Sequence, residues 1–216
     1  MFQLYYYPNN ASLAPHFLLH HLQAPYELVL VDRKANAHKS DDYLRLNPMG
    51  RIPALVDGEL TLFESAAICV HLCERYPQSG LLPPVGSHER AHVFQWLMFL
   101  TNTLQSQLMA RYYPSRQTDD VEGVTSVIAA QDRRIEESLA ILDAQLATSA
   151  YLVDAQLTAC DYYLFMLACW CLPLERSPAR YPHLSRYIRL LCDDLSIKAV
   201  CALEGIDLSR FTLVGI

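Results

Sequence analysis

The spacing of hydrophobic positions predicts two structurally different parts of the chain. Up to about residue 76, short apolar runs alternate with helical segments in the order β-α-β-α-β-β-α. The first strand-helix-strand unit implies two parallel strands joined by a crossover helix. Further on, Asp57-Gly58 separates two short apolar runs, and this dipeptide suits the positive φ angles of a tight hairpin turn. Beyond residue 88 the strand patterns stop, and only long stretches of helical periodicity follow.

These patterns set the expected domain boundaries. Residues 78–87 contain prolines and glycines but few residues that sustain regular structure, so we predict a linker there. An α/β domain is expected over residues 1–77 and an all-helical domain over residues 88–216. The predicted strands cover residues 2–7, 26–31, 52–56 and 60–63. The predicted helices cover residues 13–22, 41–46 (one turn), 64–76, 88–113, 121–148, 182–193 and 196–204, and a further helix opens near residue 157.

Composition and charge are typical of a globular protein and argue against several partners. Of the 216 residues, 52% are hydrophobic and 19% are charged, and the net charge is −6. Binding to nucleic acid or to anionic membranes needs a basic surface, which this balance disfavours. The most apolar run, residues 162–174, is too short to span a bilayer, and the N-terminus has no signal-peptide pattern. We therefore expect a cytoplasmic protein with no nucleic-acid or membrane partner.

The cysteines and histidines indicate neither a disulfide framework nor a metal site. Seven cysteines lie in apolar helical stretches, where buried thiols in a reducing compartment are the expected form. Cys69 and Cys73 share a helix face, and Cys169 and Cys171 are two apart, but neither pair has the spacing of a redox or zinc motif. The eight histidines show no ligand pattern, so no metal cofactor is expected.

Three groups of motifs stand out along the chain. They are Leu4–Pro8 with Ala11–Ala14, Asn47–Leu55 with Phe63–Ile68, and a capping box at Thr158–Asp161. Together, in this order and at these separations, they resemble glutathione transferases over nearly the whole chain, and the first group is similar to the bacterial beta-type branch. The resemblance implies a thioredoxin-like domain followed by a helical bundle. It also implies glutathione as co-substrate and a homodimer.

The resemblance further implies where glutathione binds in the first domain. In the family, the proline that matches Pro53 follows a cis peptide bond, which turns the N–H and C=O of Ile52 toward the cysteinyl backbone of glutathione. Glu64 and Ser65 begin a helix whose unpaired N–H groups suit the γ-glutamyl carboxylate, and Glu64 faces the ligand's ammonium group. An edge-strand proline and a plain helix cap are the structural alternatives.

Basic residues near these motifs extend the expected site. Arg51 immediately precedes the Ile52-Pro53 pair and is included in the expected glutathione site. Lys34 and His38, in the irregular segment after the second strand, are candidates for the glycyl carboxylate of glutathione. A solvated loop is the alternative for both of them.

Ser12 is the candidate for activating the glutathione thiol. An ordinary cysteine-like thiol has a pKa of about 8.5, and lowering it by roughly two units requires about 2.7 kcal/mol. One hydrogen bond to a charged group contributes roughly 1.5–3 kcal/mol, and a helix N-terminus about 0.3–1 kcal/mol. A serine at the head of its helix can supply most of this shift, and a simple N-cap is the alternative.

The chain departs from the beta-type branch at two places. Beta-type enzymes have a cysteine immediately before this serine, where this chain has Ala11, so no mixed disulfide can form there. They also carry a His-Lys pair in the first long helix of the second domain, where this chain has Gln105-Ser106. These departures transfer thiol activation to Ser12, with Tyr6 or Asn10 as substitutes.

A second substrate is expected between the two domains. The proposed apolar wall is one helical face, with residues at i, i+3, i+4 and i+7: Gln105, Leu108, Met109 and Tyr112. Arg111 or Arg116 would favour anionic substrates, and Phe211 and Leu213 in the tail would close the pocket. The alternative is that this face belongs to the core of the helical bundle.

The combined expectation is a glutathione transferase that joins the glutathione thiolate to a small hydrophobic electrophile, or reduces a peroxide with it. A glutathione-dependent disulfide reductase or isomerase is the alternative enzyme. A non-catalytic module that carries ligands or binds partners on the same fold is the alternative outside catalysis.

Overall fold

The computed structural model describes residues 1–212, and within them the chain forms two compact units. The first unit contains Met1–Pro83 and Leu191–Ser209, and the second contains Pro84–Leu190 and the described residues from Arg210 onward. The expected boundary of the helical domain therefore changes. The helix expected over residues 196–204 belongs to the first unit and not to the helical domain. Amphipathic periodicity shows that a segment is helical but not which core it packs against.

The elements agree closely with the pattern of apolar positions. The strands are β1 (Phe2–Tyr6), β2 (Tyr26–Leu30), β3 (Ala54–Asp57) and β4 (Leu60–Phe63). The helices are α1 (Leu13–His21), α2 (Asp41–Leu46), α3 (Ser65–Arg75), α4 (His88–Phe99), α5 (Ser106–Tyr112), α6 (Gly123–Leu146), α7 (Ala159–Cys171), α8 (Pro182–Cys192), α9 (Leu195–Glu204) and α10 (Ser209–Thr212). The short helix α10 was not predicted.

The first unit is built on a mixed four-stranded sheet with the order β2-β1-β3-β4. β1 pairs with β2 in parallel and with β3 antiparallel, and β3 and β4 form the predicted hairpin. Gly58 has a φ of 62° in the hairpin turn, a conformation that glycine adopts at little cost. Sheet and helices together give the thioredoxin-like arrangement that the resemblance implied.

Alternation along β1 directs its side chains to two different layers. The ring of Tyr6 lies edge-on to His16 of α1, with 6.3 Å between ring centroids. The ring of Tyr5 points to the other face, where it meets Tyr43 of α2 at 6.1 Å. The sheet is therefore covered on both faces, which explains why β1 is rich in aromatic residues rather than alternately polar.

Helix α9 is fastened to α1 within the first unit. The side chain of Asp194 caps α9 by accepting the backbone N–H groups of Ser196 and Ile197, both at 2.9 Å. The hydroxyl of Ser196 is 3.0 Å from Nδ1 of His20 on α1. Ile197 and Val200 are fully buried, so α9 also contributes apolar side chains to the core.

The second unit differs from the prediction within its first long helix. The expected helix over residues 88–113 is divided by a π-helical segment, Leu100–Gln105, between α4 and α5. The hydroxyl of Thr101 donates to the carbonyl of Leu97 at 2.9 Å, and that of Ser106 donates to the carbonyl of Thr101 at 3.2 Å. Such side-chain bonds compete with regular i to i−4 pairing and accompany helix distortions.

The capping box before α7 is present as predicted and is deeply buried. Asp161 accepts hydrogen bonds from the backbone N–H of Thr158 at 2.6 Å and of Leu152 at 3.1 Å. The hydroxyl of Tyr187 on α8 donates to it at 2.6 Å. Burial raises the pKa of Asp161, and these hydrogen bonds act in the opposite direction. One carboxyl group therefore ties together α7, α8 and the turn before them.

Replacing Asp161 with alanine is expected to lower the free energy of unfolding by at least about 3 kcal/mol, because several buried donors lose their acceptor at about 1–3 kcal/mol each. Urea unfolding followed by circular dichroism measures the change. Asp119→Ala, at an exposed position of the same unit, is the control and is expected to stay within about 0.5 kcal/mol of the parent. A loss below about 1 kcal/mol for Asp161→Ala would contradict this role.

Candidate functional site

The register of the sheet brings three expected binding segments to one edge. Ala54 pairs with Tyr5 of β1 on one side and with Phe63 of β4 on the other. The residues that follow β1, precede β3 and follow β4 therefore lie side by side. These are the segments that carry the β1–α1 loop, the Ile52-Pro53 pair and Glu64.

The Ile52-Pro53 peptide bond is cis, as the resemblance implied. The side chain of Ile52 is buried in a cluster with Val31, Tyr43 and Ala54. Within residues 1–212, neither the N–H nor the C=O of Ile52 makes a hydrogen bond. The backbone of this residue therefore offers one donor and one acceptor beside the end of β1.

Asn47 and Tyr43 hold the segment before this proline. The amide of Asn47 donates to the carbonyl of Arg51 at 2.7 Å, and its oxygen accepts the N–H of Met49 at 3.0 Å. The hydroxyl of Tyr43 also donates to the carbonyl of Arg51, at 2.7 Å, and burial raises the pKa of this phenol. The Asn47–Leu55 motif includes Asn47, but the sequence predicts no role for Asn47 or Tyr43. Nothing in the sequence shows that a side chain from α2 reaches this loop.

Glu64 and Ser65 begin α3 beside this segment. Glu64 is exposed and has a φ of 73°, a conformation that costs a non-glycine residue about 1–3 kcal/mol and is typical of functional sites. Its side chain makes no capping hydrogen bond. Ser65 is buried, and its hydroxyl donates to the carbonyl of Ala11 at 2.7 Å, which joins the start of α3 to the β1–α1 loop.

Ser12 lies at the head of α1, but its hydroxyl is directed to β1. The hydroxyl oxygen accepts the N–H of Tyr7 at 3.3 Å, and the hydroxyl O–H donates to the carbonyl of the same residue at 3.2 Å. The side chain makes no capping hydrogen bond to α1, and the residue is 0% exposed. In this geometry Ser12 clamps the loop onto the end of β1, and its single hydroxyl hydrogen is already used.

Asn10 and Tyr6, the substitutes for Ser12, occupy different surroundings. The side-chain oxygen of Asn10 accepts the N–H of Ala11 at 2.8 Å, which leaves the amide NH₂ without a partner within residues 1–212. Asn10 is half-buried and lies in the loop just before Leu13, the first residue of α1. The ring of Tyr6 packs against the buried imidazole of His16. Of these two side chains, Asn10 has a donor available at the start of α1.

The basic residues of the expected site lie after β2 and near the proline loop. Lys34 and the side chain of Arg51 are exposed. Nδ1 of His38 is buried without a hydrogen-bond partner among the described residues, and burial together with the charges of Lys39 and Arg33 lowers the pKa of this imidazole. Lys39, which sequence reasoning missed, donates to the carbonyl of Met49 at 3.3 Å.

The residues expected to contact a second substrate lie in the second unit. Leu108 is fully buried there, and Met109 is partly buried. Gln105 accepts the hydroxyl of Tyr163 at 2.6 Å, and the hydroxyl of exposed Tyr112 donates to the carbonyl of Trp170.

The residues expected to close that pocket have different outcomes. Phe211 is buried against Phe165, with 5.3 Å between ring centroids. Leu213 lies outside the described residues.

The cysteines are buried thiols, as predicted, and none forms a disulfide within the described part of the chain. Burial raises the pKa of Cys171 to about 12 and that of Cys192 to about 11, which suppresses the thiolate form that nucleophilic chemistry requires. Over residues 1–212 no group of three or more acidic, histidine or cysteine side chains is arranged to hold a metal ion. No helix in that range is long and apolar enough to cross a membrane.

Comparison with known families and structures gives a consistent result. Residues 1–74 match the glutathione S-transferase N-terminal domain, and residues 92–192 match the glutathione S-transferase C-terminal domain. The glutathione S-transferase GstA of Escherichia coli O157:H7 is 28% identical over 207 residues, which cover 94% of this chain and 99% of that protein. A sphingomonad glutathione S-transferase complexed with glutathione is 29% identical with a TM-score of 0.83, and the match covers 95% of this chain and 100% of that one. A glutathione S-transferase from Xylella fastidiosa, at 24% identity and a TM-score of 0.87 over 96% of this chain and 100% of that one, has the same fold.

Asn47→Ala is expected to lower the free energy of unfolding by about 2 kcal/mol. The N–H of Met49 loses its acceptor, and the carbonyl of Arg51 loses one of its two donors. Tyr43→Phe removes only the second bond to that carbonyl, so about 1 kcal/mol is expected. Urea unfolding of both variants measures the difference. Equal losses would show that Asn47 has no special part in shaping the loop.

Proposed function

Because the chain belongs to the glutathione S-transferase superfamily, we propose that it binds glutathione in its first unit and transfers the glutathione thiolate to a small electrophile. The observation that supports this most is the convergence of three segments at one sheet edge, namely the β1–α1 loop, the Ile52 peptide and the start of α3. A tripeptide with a thiol, an ammonium group and two carboxylates fits that set of donors and acceptors.

Each part of glutathione has a chemically matched partner in this proposal. The cysteinyl backbone pairs with the N–H and C=O of Ile52 like a short added strand, because both groups lack a partner within residues 1–212. The γ-glutamyl carboxylate meets the N-terminus of α3 at Ser65, and its ammonium group meets the exposed carboxylate of Glu64. Binding of this kind would use the strained backbone of Glu64 to aim its side chain.

The glycyl carboxylate is assigned to the cationic side of the site. Lys34, His38 and Arg51 are the residues proposed from the sequence, and Lys39 joins them because its ammonium group is held at the carbonyl of Met49. The lowered pKa of His38 favours a neutral imidazole, so the lysines and the arginine carry the positive charge.

Thiolate stabilisation is proposed at the start of α1. A hydrogen bond to a charged group contributes about 1.5–3 kcal/mol, which lowers a thiol pKa by about one to two units. Ser12 can donate to a thiolate only by giving up the carbonyl of Tyr7, whereas the amide of Asn10 has hydrogens available. This geometry favours Asn10 over Ser12 as the donor and gives Ser12 the task of holding the loop.

The electrophile and the assembly are proposed from the second unit. Gln105, Met109 and Tyr112 have partly exposed side chains and are the candidate contacts for an electrophile, whereas Leu108 is a core residue. On α4, Phe94 and Met98 are exposed at i and i+4, an apolar stripe that supports a homodimer. Transfer forms a carbon–sulfur bond as the leaving group departs with its electron pair, and no protein-bound covalent intermediate is required.

The test of this proposal is the pKa of the glutathione thiol bound to the purified protein, followed by ultraviolet thiolate absorbance across pH. We expect a pKa well below about 8.5 in the parent protein. Asn10→Ala is expected to raise it by about one to two units, because the donor is lost. Ser12→Ala is expected to lower stability to urea by about 1–3 kcal/mol through loss of the Tyr7 clamp.

The same titration separates the alternatives. If Ser12→Ala raises the thiol pKa and Asn10→Ala does not, the serine donor predicted from the sequence is correct and the assignment to Asn10 is wrong. Saturable glutathione binding without any thiolate would favour a carrier or interaction module. A thiolate that reacts with glutathionyl disulfides faster than with halogenated aromatics would favour a disulfide reductase.

A further inference from the structure

A buried polar network lies on α1 directly below the β1–α1 loop. Nδ1 of His16 is 2.6 Å from Oε1 of Glu204, which is the last residue of α9. Their side chains are 0% and 1% exposed. Nε2 of His16 is 3.3 Å from the hydroxyl of Tyr26, the first residue of β2. A carboxylate is costly to bury unless its oxygens are paired, so each partner in this network matters for the native state.

The second oxygen of Glu204 reaches the loop itself. Oε2 accepts the backbone N–H of Asn9 at 2.9 Å. Asn9 has a φ of 51°, a left-handed conformation, and the carbonyl of the next residue accepts the N–H of Leu13 at the start of α1. The next residue is Asn10, whose side chain carries the amide donor at the mouth of α1. The carboxylate therefore fixes the Pro8–Asn9 peptide, one residue before that donor.

The hydrogen positions in the network follow from its surroundings. Burial and the nearby charge of Glu204 raise the pKa of Tyr26, so its hydroxyl keeps its proton and can donate to Nε2 of His16. Nδ1 then carries the hydrogen that is donated to Glu204. In this arrangement every oxygen of Glu204 and both nitrogens of His16 have a partner.

We propose that Glu204 and His16 are positioning residues that hold the Pro8–Asn9 peptide from helix α9 and, through the left-handed turn at Asn9, set the Asn10 donor for the glutathione thiolate. This inference rests on the proposed function, because it concerns the pKa of the bound thiol. Neither residue touches glutathione in the proposal. A misplacement of a donor by about 1 Å is enough to change a catalytic interaction severely, so removal of the Asn9 tether should alter the thiol pKa.

The chain offers matched variants for a test. Glu204→Met keeps the length of the side chain but removes both acceptors. Glu204→Gln keeps an acceptor for the Asn9 N–H, and its NH₂ faces Nδ1 of His16. That nitrogen can accept once the imidazole hydrogen moves to Nε2 and is donated to the hydroxyl of Tyr26. Ser196→Ala breaks a different bond between α9 and α1, to His20, without touching the loop. Should Glu204→Met fail to fold by circular dichroism, Glu204→Asp, whose carboxylate is one methylene too short to reach Asn9, replaces it.

Two quantities are measured for each variant: the pKa of bound glutathione thiol and the affinity for S-methylglutathione, which has no thiol to ionise. Glu204→Met is expected to raise the thiol pKa enough to lower the thiolate fraction about tenfold near neutral pH, with the S-methylglutathione affinity within about twofold of the parent. Glu204→Gln and Ser196→Ala are expected to keep the thiolate fraction within about twofold.

The inference is overturned if Glu204→Met leaves the thiol pKa unchanged, or if Ser196→Ala raises it equally. Either result would mean that Glu204 only fastens α9. These outcomes differ from failure of the proposed function, in which the parent protein itself forms no thiolate on binding glutathione.

Discussion

The loop between β1 and α1 becomes buried toward Ala11 and Ser12, and several of its backbone groups have no partner in the sheet or in α1. Buried peptide groups must nevertheless find partners, and here side chains supply them. Ser12 pairs with both polar groups of the Tyr7 peptide, Ser65 donates to the carbonyl of Ala11, and Glu204 accepts the N–H of Asn9. Each of these side chains comes from the start of α1, the start of α3 or the end of α9, so all three helices are tied to this loop.

A different rule holds a few residues away, at the edge of the sheet. The polar groups of the Ile52 peptide have no partner among the described residues, although Asn47 and Tyr43 firmly bind the carbonyl just before them. Glu64 keeps a left-handed backbone with an exposed carboxylate. Scaffold and site thus differ in their hydrogen bonding. Side chains pair the Tyr7 backbone, the Asn9 N–H and the Ala11 carbonyl of the supporting loop, whereas the surface that would receive a ligand keeps unused donors and acceptors among the described residues.

The parts of the fold that could be predicted from the sequence are those determined by near neighbours. Alternation of apolar residues, the Asp57-Gly58 turn and the Thr158 capping box act over a few residues, and the structure confirms all of them. The partner of His16 could not be predicted, because Glu204 lies 188 residues away and an acidic residue at a helix end is ordinary. The surroundings of Ser12 were equally hidden, since a serine before a helix is compatible with a cap, a catalytic donor or a clamp.

The position of α9 in the first unit has a consequence for how the protein is made. Residues 1–83 emerge from the ribosome long before residue 204 is synthesised. Domains generally fold as units while the chain emerges. Until α9 has been synthesised, His16 and the N–H of Asn9 lack the carboxylate of Glu204, and the surface of α1 that packs against α9 is uncovered. The first unit of the nascent chain therefore stays incomplete while residues 84–190 of the second unit are synthesised. A gene fragment that ends after α3 would encode the sheet without α9, whose Glu204 carboxylate holds the β1–α1 loop.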